Sequence, residues 1–414
     1  MQTLFPNSRA AEKWTVIRRL CGAFILLLSA LHAPLSCAVE YTGYISGEFR
    51  FFPKNAADPR QHGNTNWSVA IQPEIYHEWD DGRQSIAFVP FFRWDEHDSK
   101  RTHGDIRELL WQKAADTWEL RIGIGKVFWG VAESQHLVDI INQTDLVENI
   151  DAEEKLGQPM INLALIRDWG TIDLFMLPGF RERTFPGKKG RLRSQPRVDT
   201  SQAIYDSSRE KKHIDWAIRW SHFIGDWDVG ISHFYGTSRD PRFRPGLDSN
   251  GEPVGIPIYD IINQTSIDVQ ATKGNWLWKL EALYRSGQDS SYYASIGGFE
   301  YTLVGVLDSP MDLGLIAEYS YDDRGNTSPS AFEDDLMFGM RFAFNDAQST
   351  EILLGVVSDL DSNGRFFNLE AERRFGQNWL LSVEARAWSD IADDDPFSTI
   401  SDDDYIQIDL ARYF

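Results

Sequence analysis

Cysteine is nearly absent: of 414 residues only Cys21 and Cys37 carry a thiol, and both fall within the first 38. From Val39 onward no disulfide and no thiolate-held metal can organise the fold. Long apolar runs are also missing. After residue 38 no stretch approaches the roughly 20 apolar residues of a membrane-crossing helix. Positive charge is scarce, with 41 Lys and Arg against 62 Asp and Glu and a net charge of −21. A polyanion would be repelled, so nucleic acid is not an expected partner. The nine histidines show neither metal-ligand spacing nor pairing with a nucleophile, so no metal, cofactor or catalytic constellation is expected. What is abundant is aromatic surface. The 25 Phe, 15 Trp and 14 Tyr are too many for a solvated coil. Two classes remain: a soluble acidic protein, or a β-barrel that hides its hydrophobicity by alternation.

Residues 1–38 read as a cleaved export signal. Arg9, Lys13, Arg18 and Arg19 form a basic region, Leu20 to Leu31 an apolar one too short to span a bilayer, and Ser36-Cys37-Ala38 a small-residue cleavage site. The competing lipoprotein reading of Cys37 is opposed by Pro34, which stands where that signal has Leu. Cleavage after Ala38 removes four basic residues and Glu12, taking the net charge from −21 to −24. The remaining 39–414 form one domain, delivered to an oxidising compartment without a thiol.

Its dominant period is two, which signals strands with unlike faces. Trp67, Val69 and Ile71 alternate with Ser68, Ala70 and Gln72, and Phe92 and Trp94 with Arg93 and Asp95. Trp276, Trp278 and Leu280 oppose Lys279 and Glu281, and Phe338, Met340 and Phe342 oppose Gly339 and Arg341. About eighteen such runs follow one another between residues 39 and 414. Connections after even runs are short turns such as Asp80-Asp81-Gly82-Arg83 and Lys273-Gly274-Asn275. Those after odd runs are mostly long and polar, as at 53–65, 130–158, 181–212 and 239–259. Sorting by parity predicts an all-β, transmembrane antiparallel barrel of 16–18 strands, with short periplasmic turns and long extracellular loops. A soluble sandwich has no reason to sort its connections this way. Trp67, Trp79, Trp94, Trp118, Trp227, Trp276 and Trp379 fall near run ends on the apolar face, where a water–lipid boundary rewards an amphipathic ring.

The last run alternates and stops on Phe414, with Arg412 third from the end. This resembles the C-terminal assembly signal of Gram-negative outer-membrane barrels, which implies the barrel assembly machinery as a partner and the outer membrane as destination. Gly123 to Gly130 (Gly-Ile-Gly-Lys-Val-Phe-Trp-Gly), followed by Asp139, Asn142 and Asp145, resembles a proteobacterial outer-membrane family. In that family a strand ending in Trp-Gly precedes Asp-x-x-Asn-x-x-Asp, commonly with Pro where this chain has Gln143. The resemblance spans about forty residues and implies a porin-like barrel without naming a substrate.

A barrel this wide cannot be filled by its own wall and must hold water, an inserted loop or a plug. The inward face carries both signs, and Arg93, Arg121, Arg219, Arg285, Arg341, Glu74, Glu119, Glu281 and Glu318 are candidate pore-lining residues. Such charges are cheap against water and sort solutes by charge. Loop 181–212 holds a basic cluster, Arg181, Arg183, Lys188, Lys189, Arg191, Arg193 and Arg197. Two roles are open: an anion-attracting constriction in the lumen, or an outward surface for lipopolysaccharide phosphates. Asp139 to Thr144 recur letter for letter as Asp260 to Thr265. The acidic groups near Asp393–Asp395 and Asp402–Asp404 match no defined calcium loop. Asp361-Ser362-Asn363-Gly364 is similar to the Ser-Asn-Gly of outer-membrane phospholipases, but Leu360 stands where their histidine would.

The expectation is a non-enzymatic channel passing small polar solutes, anions among them, by diffusion. One alternative is a non-conducting structural or surface-interaction barrel. Another is a channel specific for acidic sugars or aromatic acids. Lipid, lipopolysaccharide, small solutes and further copies of the chain are the expected partners.

Overall fold

The computed structural model describes residues 39–414 apart from Ala331, so the expected export signal lies outside the described residues. Eighteen strands, from Val39–Phe51 to Tyr405–Tyr413, join in one antiparallel sheet. The sheet closes because the first strand also pairs with the last, from Tyr44 against Tyr413 to Phe51 against Ile406. Closure leaves no unpaired edge. Phe414 donates its backbone N–H to Gly43 O at 3.0 Å, so both ends of this domain share one rim with the short turns. The long connections lie on the other rim.

Alternation separates the faces as period two requires. Trp67, Val69, Phe92, Trp94, Trp216, Ile218, Trp278, Leu280, Phe338, Met340, Ile406 and Ile408 stand exposed on the outside. Glu48, Arg93, Asp95, Asp215, Asp268, Glu281, Glu318 and Arg386 are buried on the inside. The barrel is therefore apolar outside and charged within.

Three departures from plain alternation shape the interior. The strand Trp118–Gly125 stops four residues before its apolar run does. The chain turns inward there, because residues 126–157 find partners in the lumen. Opposite Val89 and Pro90 the strand His103–Ala115 carries an extra residue, Arg107, between Glu108 and Ile106. Proline cannot donate to the ladder, and the bulge instead aims Arg107 inward, 2% exposed. Finally, the wall is not polar throughout its inner face. Phe175, Leu177, Ala217, Phe234 and Ile262 form a buried apolar patch with Trp129, Val138, Ile140 and Ile141 of the inserted segment. At roughly 1.5–3 kcal/mol for each fully buried large apolar side chain, this patch is a major part of what holds the insertion.

Above the lumen, parts of two long loops form a second sheet. Arg242–Leu247 pairs antiparallel with Pro253–Tyr259, which pairs in parallel with Ile204–Tyr205.

Candidate functional site

The inserted segment is bound to the wall by carboxylates accepting from its own backbone. Glu281, on the strand Trp276–Ser286, accepts from the N–H groups of Val131 (2.6 Å), Ala132 (2.8 Å) and Val138 (3.1 Å). Glu318, two strands on, accepts from Glu133 N (2.7 Å), Ser134 N (2.9 Å) and Ser134 Oγ (2.9 Å). Irregular backbone inside a barrel needs such partners, and ionised acceptors are the strong kind. Glu133 reaches back to Lys279 (3.3 Å) and Arg341 (2.8 Å) on the wall.

The segment also holds itself. Asp139 accepts from Trp129 N at 2.6 Å and Gly130 N at 3.0 Å. Asn142 accepts from Val127 N at 2.8 Å and donates to Gly125 O and Leu156 O, both at 2.9 Å, so one amide joins the start and end of the insertion. Gly130 is required by close approach: a Cβ there would lie 2.5 Å from the ring Nδ1 of His136. His136 sits between Glu153 (3.1 Å) and Glu281 (3.8 Å). Burial opposes its protonation, but these two carboxylates win and raise it to about 10, so the ring is charged at neutral pH.

A second cluster, on the other side of the lumen, is an ion-pair network. Arg93 binds Glu148 (2.8 Å) and Glu48 (3.0 Å), and Arg101 binds Glu48 (2.8 Å) and Asp95 (3.0 Å). Arg107 binds Asp145 at 2.7 Å. Burial disfavours the Asp145 carboxylate, yet His103, Arg107 and Thr184 together hold it down at about 2. His103, Asp145 and Glu148 place one ligand atom each within 4.8 Å of one another, the only such group among the described residues. Arg107 on Asp145 and Arg93 on Glu148 already supply positive charge there, so the geometry does not call for a metal ion.

The nine expected pore-lining residues all sit on barrel strands with their side chains off the exposed apolar face. Glu281, Glu318 and Arg341 meet the inserted segment, and Arg93 meets Glu148 at its end. Arg219 pairs with Asp268 at 2.7 Å and lies 5.1 Å over Trp129. Arg285 donates to Gln264 (2.8 Å) and Asp240 (2.9 Å). Nearer the short-turn rim, Glu119 pairs with Arg121, and Glu74 accepts from Gln72 at 3.3 Å.

The basic cluster of loop 181–212 crosses the mouth and is tied down. Arg181 meets Asp105 (2.8 Å), Arg183 Asp240 (2.6 Å), Lys188 Glu252 (2.9 Å) and Arg197 Asp248 (2.6 Å). Arg191 and Arg193 are buried against Asp403 (2.6 Å) and Asp58 (2.7 Å), and Arg191 also stacks over Phe52 at 4.4 Å. Lys189 alone of the seven has no carboxylate within 4 Å among the described residues. Ser362 hydrogen-bonds the Asp359 carboxylate and caps Gly364 N at 2.9 Å, a turn contact.

Between the inserted segment, the mouth loops and the far wall lies a cavity of about 600 Å³. Its charged lining includes His136, Lys155, Arg183, Arg239, Arg285, Arg324 and Arg386 together with Glu133, Asp151, Glu153, Asp240, Asp322 and Glu370. Sequence reading did not single out Arg107, Glu133, His136, Lys155 or Arg239. Arg107 sits at a strand bulge and the other four in long loops, and neither setting carries a periodic signal that would mark them.

No protein-family model matches the chain, and no curated protein matches it. Among solved structures, a mutant of Rh. blastica porin is similar over 91% of this chain and 100% of its own, with 12% identity and a TM-score of 0.46. OmpT of Vibrio cholerae is similar over 92% of this chain and 99% of its own, with 10% identity and a TM-score of 0.44.

Proposed function

We propose that this chain is an outer-membrane channel for small polar solutes, anions included, whose bore is set by residues 126–157. The observation that carries this reading is the closed eighteen-stranded wall, apolar outside and charged inside, around a cavity of about 600 Å³. An apolar exterior band of this extent is not sustained in water but is what hydrocarbon requires. A barrel held in lipid with a wet, charged lumen conducts ions unless the lumen is sealed. The insertion narrows the lumen and leaves a cavity lined by both signs, so selection in this reading acts by size and charge.

The dense pinning of loop 181–197 across the mouth favours a second reading, a non-conducting barrel whose outer loops carry the function. Planar-bilayer recording separates the two. Stepwise, ohmic conductance is the expected result. Absence of any conductance from protein that remains folded in detergent would refute the channel.

A further inference from the structure

Six of the seven cationic side chains lining the cavity are already committed. Arg183 and Arg285 share Asp240, Arg239 holds Asp215 at 2.6 Å, and Arg324 holds Asp322. Arg386 holds Asp151 at 2.9 Å and His136 holds Glu153 at 3.1 Å. Lys155 is the exception. It is 7% exposed, lines the cavity, and has no carboxylate within 4 Å and no side-chain hydrogen bond among the described residues. The residue is largely buried, but its ammonium opens onto the cavity, where water or a solute in its place must satisfy it.

Lys155 is held in place through its backbone. It bridges Thr144 across the neck of the insertion, and its carbonyl accepts from Arg107 at 3.2 Å. Its side chain is therefore not needed to hold the insertion. We propose that Lys155 is the anchor of a binding site for the carboxylate of a small amphipathic monoacid within the cavity.

The rest of the lining defines the ligand class. Phe243, Leu283, Phe332, Leu353, Phe366 and Phe397 give the cavity an apolar portion. With the other cations committed to protein carboxylates, a second negative group on the ligand would find no free partner. One anionic head and an apolar or aromatic body therefore match, whereas a dicarboxylate does not. A volume of about 600 Å³ lies within the roughly 300–1,000 Å³ of small-molecule sites. Burial pushes the Lys155 ammonium down, opposed by Asp139, Glu153 and Asp240. A bound carboxylate would favour the charged ammonium, acting in the same direction as those acidic groups.

This inference rests on the lumen being open to solutes but not on conduction, and the test keeps the two apart. Benzoate is the probe, with benzamide as its uncharged counterpart and phthalate as its dianion. Calorimetry on the folded protein in detergent reads binding alone, and bilayer recording reads saturable block. Benzoate should bind, benzamide and phthalate at least tenfold more weakly. Lys155→Met should weaken benzoate at least tenfold, whereas Lys155→Arg should retain most of the affinity. Retained heat-modifiable mobility on gels shows that each variant is folded. Binding without conductance would remove the channel and leave the site. Absence of benzoate binding to the wild-type protein, or equal affinity in Lys155→Met, would overturn the site.

Discussion

Glu281 is the clearest place to test how the insertion is held. Replacing it by Ala removes the acceptor for three backbone N–H groups, at 2.6, 2.8 and 3.1 Å, from a position of 0% exposure. A buried donor left unsatisfied costs about 1–3 kcal/mol, so even the low end for three donors comes to about 3 kcal/mol. At roughly 1.4 kcal/mol per factor of ten, that is about a hundredfold rise in undocking of residues 130–138. The barrel itself should persist, since its strands are paired by backbone and the Glu281 side chain makes none of those bonds. Amide hydrogen exchange is the direct assay. Peptides covering 126–145 should exchange about a hundredfold faster, with those of the strands Trp276–Ser286 and Asp312–Asp322 unchanged. Glu281→Gln should fall between, because one carbonyl oxygen still accepts while its amide faces other donors. Unchanged exchange over 130–138 would show that the apolar patch around Val138 and Ile140 suffices and that the carboxylate is dispensable. Loss of protection throughout the barrel would refute the separation of wall from insertion.

Other perturbations read other parts of the arrangement. His136 is raised to about 10 from an ordinary value of 6.5. Its contribution to docking is therefore complete below about pH 6.5 and lost as pH rises through about 10. Proteolysis of the insertion should accelerate over that interval in the wild-type protein, and a flat profile would contradict the assignment. Breaking the buried Arg191–Asp403 pair by Arg191→Ala should destabilise the mouth by about 3–5 kcal/mol. The double variant with Asp403→Ala should recover part of that loss, and additive losses in denaturant unfolding would exclude a coupled pair. Gly123 has φ +139°, and a Cβ there would lie 2.0 Å from Leu109 O. Gly123→Ala should slow folding into lipid vesicles and lower the unfolding midpoint, and wild-type behaviour would refute the required close approach.

Strand positions are legible in this chain because lipid and water make opposite demands on alternate residues. A run such as Trp276 to Tyr284 has one reading that satisfies both sides. Closure follows from the parity of short and long connections, and the pairing of Tyr44 with Tyr413 agrees with it. The inserted segment is harder to foresee. Its stability comes from contacts distant in sequence, with Glu281 and Glu318 separated by about 150 and 185 residues from the backbone they accept. The repeated hexamer shows why local pattern fails there. Asp139 caps Trp129 and Gly130 and Asn142 clasps the neck of the insertion, whereas Asp260 pairs with Arg242 and Gln264 accepts from Arg285 in the wall. The same six letters do different jobs because their neighbours differ. Local composition marks Arg191 and Arg193 as part of a basic loop, but only the crossing of that loop to Asp403 and Asp58 pairs them.

The distance along the chain between the insertion and its anchors has a consequence for biogenesis. Until the hairpins bearing Glu281 and Glu318 are in the wall, the six donors of residues 131–138 lack their carboxylate acceptors. The insertion can therefore dock only after wall hairpins far from it in sequence have formed.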